Sequence, residues 1–207
     1  MTLHPKINPP IRYWLILMVV SLVMVGCQSL FGGYEFKGGQ LDPPLPVPDF
    51  ELMSTTGESF HLSDAAGRLT LVYFGYTFCP DVCPLTMADV KQALAEMDHP
   101  EQVNVVFISV DPERDTPEVL ARYLQAFGSD FIGLTDDFEK TLDVMGAFGA
   151  YAEKEDVPDS AAGYLVSHTS RLYLLDPQGE IILTYPFGFE PDDLRADLEY
   201  LLEGGEG

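Results

Sequence analysis

An apolar run that ends in a pair of cysteines is the feature that most constrains this chain. Residues 69–74 (LTLVYF) lead within five residues to Cys79, and Cys83 comes four residues later. The run predicts a buried strand, and Pro84 predicts the first turn of a helix that continues to about Met97, because proline is tolerated there. Both sulfurs therefore lie where a strand ends and a helix begins. Unpaired N–H groups and the helix dipole at that point favour thiolate over thiol.

The first 26 residues have the composition of a signal peptide. Lys6 and Arg12 precede an apolar stretch, residues 13–25, which is short for a membrane-spanning helix. The letters MVGC end at Cys27 and resemble a bacterial lipobox, which implies cleavage before this cysteine and a lipid on its sulfur. We expect a lipid-anchored protein on the extracytoplasmic face of a bacterial cytoplasmic membrane. The alternative is an uncleaved N-terminal transmembrane anchor.

The rest of the chain divides by composition into three parts. Residues 27–48 are rich in glycine and proline, which predicts a tether that is flexible in its glycine part and extended in its proline part. Fully stretched, such a tether would span roughly 70 Å. Residues 49–203 form the expected compact domain, and residues 204–207 are expected to fray.

Hydrophobic periodicity and turn residues divide the compact domain into alternating strands and helices. The predicted elements are a hairpin of residues 50–53 and 59–62, strand 69–74, helix 84–97, strand 103–110, helix 117–127 with Thr116 as its N-cap, helix 138–148, a surface loop at 153–162, a hairpin of residues 171–175 and 181–185, and helix 192–202. This order predicts an α/β fold: a thioredoxin-like sandwich with a central mixed β-sheet flanked by helices and an N-terminal β-hairpin.

The charge of the chain excludes one class of partner. The formal net charge is −22, so nucleic-acid phosphates would be repelled, and no nucleic-acid partner is expected. The acidity suits a protein partner with a basic docking face, or it serves only to keep the protein soluble.

The cysteine pair itself permits two chemistries. Cys79 and Cys83 lie about one helical turn apart, close enough to form a disulfide and also able to face one metal ion. A closed structural zinc site requires four ligands and is not indicated here. The pair can therefore bind a soft metal, exchange disulfides, or do both.

A third metal ligand is predicted at His168. In a thioredoxin-like fold the segment before the strand at 171–175 faces the cysteine turn, and His168 lies in that segment. His61 and His99 are more simply explained as a surface residue and a helix C-cap. Two thiolates and one imidazole suit Cu(I), and imidazole also accommodates Cu(II).

Three motifs resemble one known family. The sequences FGYTFCPDVCP (74–84), DPERDTP (111–117) and SHTSRLYLLD (167–176) are similar to those of the Sco/SenC proteins, copper metallochaperones that mature the binuclear CuA centre of cytochrome c oxidase. The resemblance covers residues 49–202. It implies that Cys79, Cys83 and His168 bind one copper ion. It also implies a role in copper insertion, in reduction of the acceptor's cysteines, or in both. The implied partners are the CuA-bearing oxidase subunit and other copper carriers or thiol reductants.

The chain departs from that family at one position. Many members carry an acidic residue before the histidine, where this chain has Ser167. A carboxylate that orients the imidazole is therefore missing there, and we expect Asp81 or a backbone carbonyl to serve instead. Asp111 and Asp115 are interpreted as turn and cap residues, not as ligands.

Other functions use the same cysteines. The first alternative is a thiol–disulfide oxidoreductase that cycles Cys79 and Cys83 and reduces the oxidase subunit or other extracytoplasmic proteins. A peroxidase would need an arginine near one cysteine, and none lies within the motif. A redox or copper sensor would use the same site. We do not expect a classical enzyme. His168 separates the first two functions, because copper binding requires it and disulfide exchange does not.

Overall fold

The structure of the protein is a computed structural model that describes residues 33–157 and 162–205. The chain divides into two units, Met1–Glu35 and Phe36–Gly207, and every helix and strand below belongs to the second. The expected signal peptide and Cys27 lie outside the described residues. None of the helices in the described part of the chain has the length and apolar content needed to span a bilayer.

A six-stranded mixed sheet forms the centre of the second unit. Its strand order is β1 (Gly39–Pro46), β10 (Glu180–Pro186), β9 (Arg171–Leu175), β4 (Leu69–Gly75), β5 (Val103–Ser109) and β6 (Ile132–Leu134). β4, β5 and β6 are parallel to one another. β9 runs antiparallel to β4, β10 to β9, and β1 to β10. Nearly every residue of β4 and β5 is buried. Strands that are covered on both faces must be apolar throughout, which explains why both segments have continuous apolar sequences.

Helices flank this sheet. Among the described residues the α-helices are α1 (Val82–Ala95), α2 (Pro117–Leu124), α3 (Phe138–Ala147) and α4 (Pro191–Leu202). α1 packs against α4, and α2 packs against β6. The buried side chains of α1 recur every three or four residues, as expected for one helix face: Cys83, Thr86, Met87, Val90, Ala93 and Leu94. The predicted α/β architecture, a central mixed sheet with flanking helices, is confirmed.

Several local predictions are also confirmed. The N-terminal hairpin consists of β2 (Glu51–Met53) and β3 (Ser59–His61), joined through Gly57 at a positive φ of 85°. Thr116 caps α2, where its hydroxyl accepts a hydrogen bond from the N–H of Val119 at 3.4 Å. Such caps depend only on neighbouring residues, so the sequence suffices to predict them.

The folded domain begins earlier than the sequence predicted. Residues 39–46, expected to be part of the tether, form the edge strand β1 and pair with β10. The carboxylate of Asp197 accepts hydrogen bonds from the N–H groups of Lys37 and Gly38 at 3.0 and 2.9 Å, and from the hydroxyl of Tyr185 at 2.8 Å. Proline is compatible with an edge strand because one side of that strand needs no ladder bonds.

The acidic segment predicted as a surface loop at 153–162 is a strand over most of its described length. β7 (Ala152–Val157) pairs in antiparallel register with β8 (Gly163–His168), and together they form a separate two-stranded sheet. We call this pair the His168 hairpin. Its acidic side chains hide the strand from sequence analysis, because they face solvent and contribute no apolar alternation. The prediction of a loop here is wrong, and the missed hairpin carries a candidate ligand.

Candidate metal centre

Three elements that are far apart in the sequence bring two sulfurs and one imidazole together. Cys79 lies in the loop after β4, Cys83 is the second residue of α1, and His168 is the last residue of β8. One donor atom from each residue lies within 4.8 Å of the other two. Cys83 is buried, whereas Cys79 and His168 are partly exposed. No other group of three or more metal-ligating side chains at this spacing occurs in the part of the chain that the structure describes.

The start of α1 places both sulfurs at a helix N-terminus. α1 begins at Val82, two residues earlier than predicted, so Cys83 lies inside the first turn and Pro84 remains in it. The N–H of Cys83 donates to the Sγ of Cys79 at 3.4 Å. This N–H belongs to the set that has no partner within the helix, and a sulfur anion in front of the helix can accept its hydrogen bond.

The imidazole of His168 presents its Nε2 to the sulfurs. Its Nδ1 lies 3.2 Å from the carbonyl oxygen of Thr169, and its Nε2 lies 3.4 Å from the Sγ of Cys83. A carbonyl oxygen can only accept, so Nδ1 carries the proton of the neutral ring and Nε2 carries the lone pair. This is the tautomer that a metal ligand needs.

The two thiols differ in acidity because they share one proton. Hydrogen bonds with the side chains of Cys83 and His168, and further ones from the N–H groups of Asp81 and Cys83, lower the pKa of Cys79 to about 4. The hydrogen bond to Cys79 and the burial of its own sulfur raise the pKa of Cys83. At neutral pH the reduced pair therefore consists of a thiolate at Cys79 and a thiol at Cys83. Binding a metal through both sulfurs must release the remaining proton.

Two tyrosine rings hold the imidazole from the core side. Tyr76 and Tyr73 meet the His168 ring edge to face, with centroids 5.8 and 6.3 Å away. Both tyrosines are buried, and the Tyr76 hydroxyl accepts a hydrogen bond from the N–H of Val166 at 3.4 Å. Phe78, by contrast, is 53% exposed next to Cys79. Of the two aromatic residues that flank Thr77, one packs in the core and the other faces solvent.

Asp81 and Ser167, the residues considered for orienting the imidazole, lie elsewhere around the site. Asp81 precedes α1, and its side chain makes no capping hydrogen bond. Ser167 is opposite Glu153 in the His168 hairpin, and alternation along the strand directs its side chain away from the face of His168. The carbonyl of Thr169 bonds to Nδ1, which is the backbone alternative that the sequence left open.

Residues 111–115, which we call the DPERD segment, matter more to the site than their sequence indicated. It follows β5, whose C-terminal end lies beside that of β4, and so it lies next to the loop that carries Cys79. Asp111 and Asp115 are fully buried, rather than simple turn and cap residues. One feature of the sequence could have indicated this: the two carboxylates come directly after β5, a buried strand parallel to β4. Because parallel strands end at the same edge of a sheet, residues that follow β5 lie near the cysteines that follow β4.

An arginine also lies beside the cysteine loop, although none lies within the cysteine motif. The guanidinium carbon of Arg114 is 4.9 Å from the ring centroid of Phe78. Its Nε bonds to Asp111, its Nη1 bonds to carbonyl oxygens before and within β8, and its Nη2 is buried. Nε and Nη1 thus already have acceptors within the fold, which ties the guanidinium to Asp111 and to the His168 hairpin.

The donor set fits a soft metal ion. Two sulfurs and one imidazole nitrogen suit copper better than magnesium or calcium, which prefer oxygen ligands. Three protein donors do not complete the four-ligand set of a structural zinc site. Cys79 and His168 reach the surface, so an ion bound here would be accessible to another protein.

Comparison with known proteins agrees with this geometry. The model of the SCO1/SenC family matches residues 39–203. The SCO2-like protein of Rickettsia felis is 34% identical over 152 residues, which cover 73% of this chain and 74% of that protein. The structure of Bradyrhizobium japonicum ScoI with copper bound is 34% identical and superimposes with a TM-score of 0.68, covering 74% of this chain and 98% of that one.

Two further structures bear on function and location. BsSco, described as a member of the Sco family of cytochrome c oxidase assembly proteins with a disulfide switch, is 25% identical with a TM-score of 0.60, covering 78% of this chain and 95% of its own. A SCO1/SenC family lipoprotein of Bacillus anthracis is 27% identical with a TM-score of 0.66, covering 78% of this chain and 99% of its own. The family model covers every strand of the central sheet, and the fold is shared with solved members of the family. This chain therefore belongs to the SCO1/SenC family.

Proposed function

We propose that this protein binds one copper ion through Cys79, Cys83 and His168 and delivers it to, or prepares, the CuA centre of cytochrome c oxidase. The observation that carries the proposal is the convergence of the three donor atoms to within 4.8 Å in the reduced protein. The copper-bound ScoI and the assembly role stated for BsSco support it. Copper is then a cargo that the protein takes up and releases.

The acidities of the ligands set the order of uptake. Cys79 is already a thiolate and is the first sulfur available to copper. Cys83 must lose its proton before it can bind, so copper affinity should rise with pH. The two thiolates then provide two negative charges for the bound cation.

Unequal exposure of the ligands suggests how the ion leaves. Cys79 and His168 reach solvent, whereas Cys83 is 0% exposed. A ligand on an acceptor protein would meet copper from the side of Cys79 and His168. Cys83 would be the last residue to release the ion. Such stepwise exchange keeps copper bound to at least one protein ligand throughout.

Thiol–disulfide exchange is the second candidate function, and the acidity of Cys79 favours it. The Cys79 thiolate would attack a partner disulfide, form a mixed disulfide and release one partner thiolate. Cys83, after losing its proton, would then attack the Sγ of Cys79 and release the second partner thiolate. The partner gains two electrons, and Cys79 and Cys83 become a disulfide. His168 forms no covalent bond in this sequence and contributes only to the low pKa of Cys79.

The location of the protein follows from Cys27, which we propose to be lipidated at the extracytoplasmic face of the membrane. The lipoprotein description of the B. anthracis relative supports this placement. The N–H of Lys37 is held by Asp197, and nine residues lie between Lys37 and Cys27, so the tether would reach roughly 35 Å. Cys27→Ser should abolish lipid labelling in a bacterium with a lipoprotein pathway; labelling that persists would contradict the lipobox assignment.

One substitution separates the chaperone from the reductase. We expect His168→Ala to lower the Cu(I) affinity of the reduced domain by more than ~100-fold. A loss of up to that size is typical when a residue that only hydrogen-bonds to a metal ligand is removed. We also expect it to fail to mature the oxidase at copper levels where the wild type succeeds. His99→Ala is the matched control, because His99 is exposed and pairs only with Glu101 among the described residues. If His168→Ala binds copper as tightly as the wild type, the three-ligand site is wrong. If it binds copper weakly but still restores full oxidase activity, the reductase is favoured over the chaperone.

A further inference from the structure

The His168 hairpin is not part of the main sheet. β7 and β8 pair only with each other among the described strands. β8 continues into β9 through Thr169 and Ser170, which anchors the hairpin at the His168 end. The distance between His168 and the cysteines therefore depends on contacts that fix the angle of the hairpin against the cysteine loop.

One partly buried arginine supplies such contacts on the hairpin side. Nη1 of Arg114 donates to the carbonyl oxygens of Ala162 and Tyr164 at 3.3 and 3.1 Å. Its guanidinium carbon lies 3.7 Å from the ring centroid of Tyr164, so the two planar groups are in contact. The hydroxyl of Tyr164 donates to Asp111 at 2.7 Å, and Asp111 also accepts from Nε of Arg114.

The same guanidinium faces the loop that carries Cys79. Its carbon lies 4.9 Å from the centroid of Phe78 and 5.8 Å from that of Tyr76, within the range of cation–π attraction. The side chain of Arg114 is only 16% exposed, and that of Asp111 is fully buried. A buried ion pair generally adds little to the free energy of folding, because its charges lose their hydration. The planar guanidinium of Arg114 is better suited to holding the surrounding chain in one arrangement.

We propose that Arg114 is a positioning residue that locks the His168 hairpin to the Cys79 loop and so holds the three copper ligands together before the ion binds. The part that concerns copper rests on the proposed function, whereas the lock itself is a property of the metal-free protein. A lysine cannot replace the arginine, because it lacks the planar surface for Tyr164 and cannot donate to Asp111 from one nitrogen and to the hairpin carbonyls from another.

The first test uses the reduced, metal-free protein. In Arg114→Met and Arg114→Lys, amide hydrogens of residues 163–168 should exchange on the order of tenfold faster, while those of β4 and β5 keep their wild-type rates. Arg195→Met is the matched control, since Arg195 also forms ion pairs, with Glu96 and Asp192, but lies on α4. Unchanged exchange in the hairpin would overturn the proposal even if copper binding were lost.

The second test measures the metal site. Both variants should lower Cu(I) affinity by ~10–100-fold, the range for residues that support a ligand, and should alter the imidazole nitrogen hyperfine pattern in the electron paramagnetic resonance spectrum of the Cu(II) form. Arg195→Met should alter neither. If Arg114→Met keeps the wild-type Cu(I) affinity and the wild-type spectrum, Arg114 does not position the copper ligands, whatever the effect of the substitution on the free energy of unfolding. If wild-type protein binds no copper, the proposed function fails while the exchange experiment still decides the lock.

A second variant guards against misfolding of Arg114→Met, which leaves Asp111 buried without its cation. Tyr164→Leu removes the ring that contacts the guanidinium but preserves the ion pair of Arg114 and Asp111. It should show the same faster hairpin exchange and a smaller fall in copper affinity. Wild-type exchange and affinity in Tyr164→Leu would contradict the proposal.

Discussion

The carboxylate of Asp115 accepts two hydrogen bonds from Thr77, one from its backbone N–H at 3.0 Å and one from its hydroxyl at 2.6 Å. Thr77 lies two residues before Cys79, whereas Asp115 follows the neighbouring strand β5. The same carboxylate accepts from the hydroxyl of Ser109 at 2.6 Å and is fully buried. The loop that carries the exposed cysteine is thus held by an acid from a different segment of the chain.

Removing this acid should loosen the cysteine loop. Asp115→Ala leaves the N–H of Thr77 without its acceptor, so we expect a loss of about 1–3 kcal/mol in the free energy of unfolding, measured by urea denaturation. Asp143→Ala, at an exposed position of α3, should change it by no more than about 0.5 kcal/mol. Equal effects of the two substitutions would show that the contact with Thr77 contributes nothing.

The same residue should make stability depend on pH. Burial raises the pKa of Asp115 above its ordinary value of 3.8. A raised pKa means that the folded state binds the proton of Asp115 more tightly than the unfolded state does. The resulting stabilisation is fully present below the pKa of Asp115 in the unfolded state and is lost as pH rises through its pKa in the folded state. Wild-type stability should therefore fall relative to Asp115→Asn as pH rises from about 4. A difference that is constant with pH would contradict the shift.

The acidity of Cys79 should be visible in its reactivity. Because its pKa is lowered to about 4, the rate of alkylation by iodoacetamide should stay nearly constant from pH 8 down to about 5 and fall only below that. Cys83, which is buried and has a raised pKa, should remain unmodified over this range. A rate at Cys79 that rises tenfold per pH unit up to pH 8 would indicate an ordinary thiol.

Oxidation should close the metal site. A disulfide between Cys79 and Cys83 offers no thiolate, so the oxidised protein should bind far less Cu(I) than the reduced protein. Equilibrium competition with a Cu(I) chelator, before and after mild oxidation, provides the measurement. Addition of a thiol reductant should restore binding. Equal binding by the two forms would place the copper site elsewhere.

The sequence by itself determined the half of the site that is local. The apolar run of β4, the two cysteines after it and Pro84 lie within sixteen residues, and their structure depends on strand burial and helix entry. Thr116 and Pro117 at the start of α2 are predictable for the same reason. Each of these features depends on groups within about one helical turn of each other.

Only the tertiary structure decided how the other half is assembled. β1 is a strand because a distant partner, β10, satisfies its backbone groups, and β7 is a strand because it pairs with the following strand, β8. The proline-rich side chains of β1 and the acidic side chains of β7 give no sign of either pairing. His168 meets Cys83 across 85 residues of sequence, and no local pattern determines that distance. The contacts of Asp115 and Arg114 are likewise non-local, since burial of their charges follows from the parallel pairing of β4 and β5. Side-chain patterns encode local geometry, whereas the convergence of donors depends on how separate elements pack.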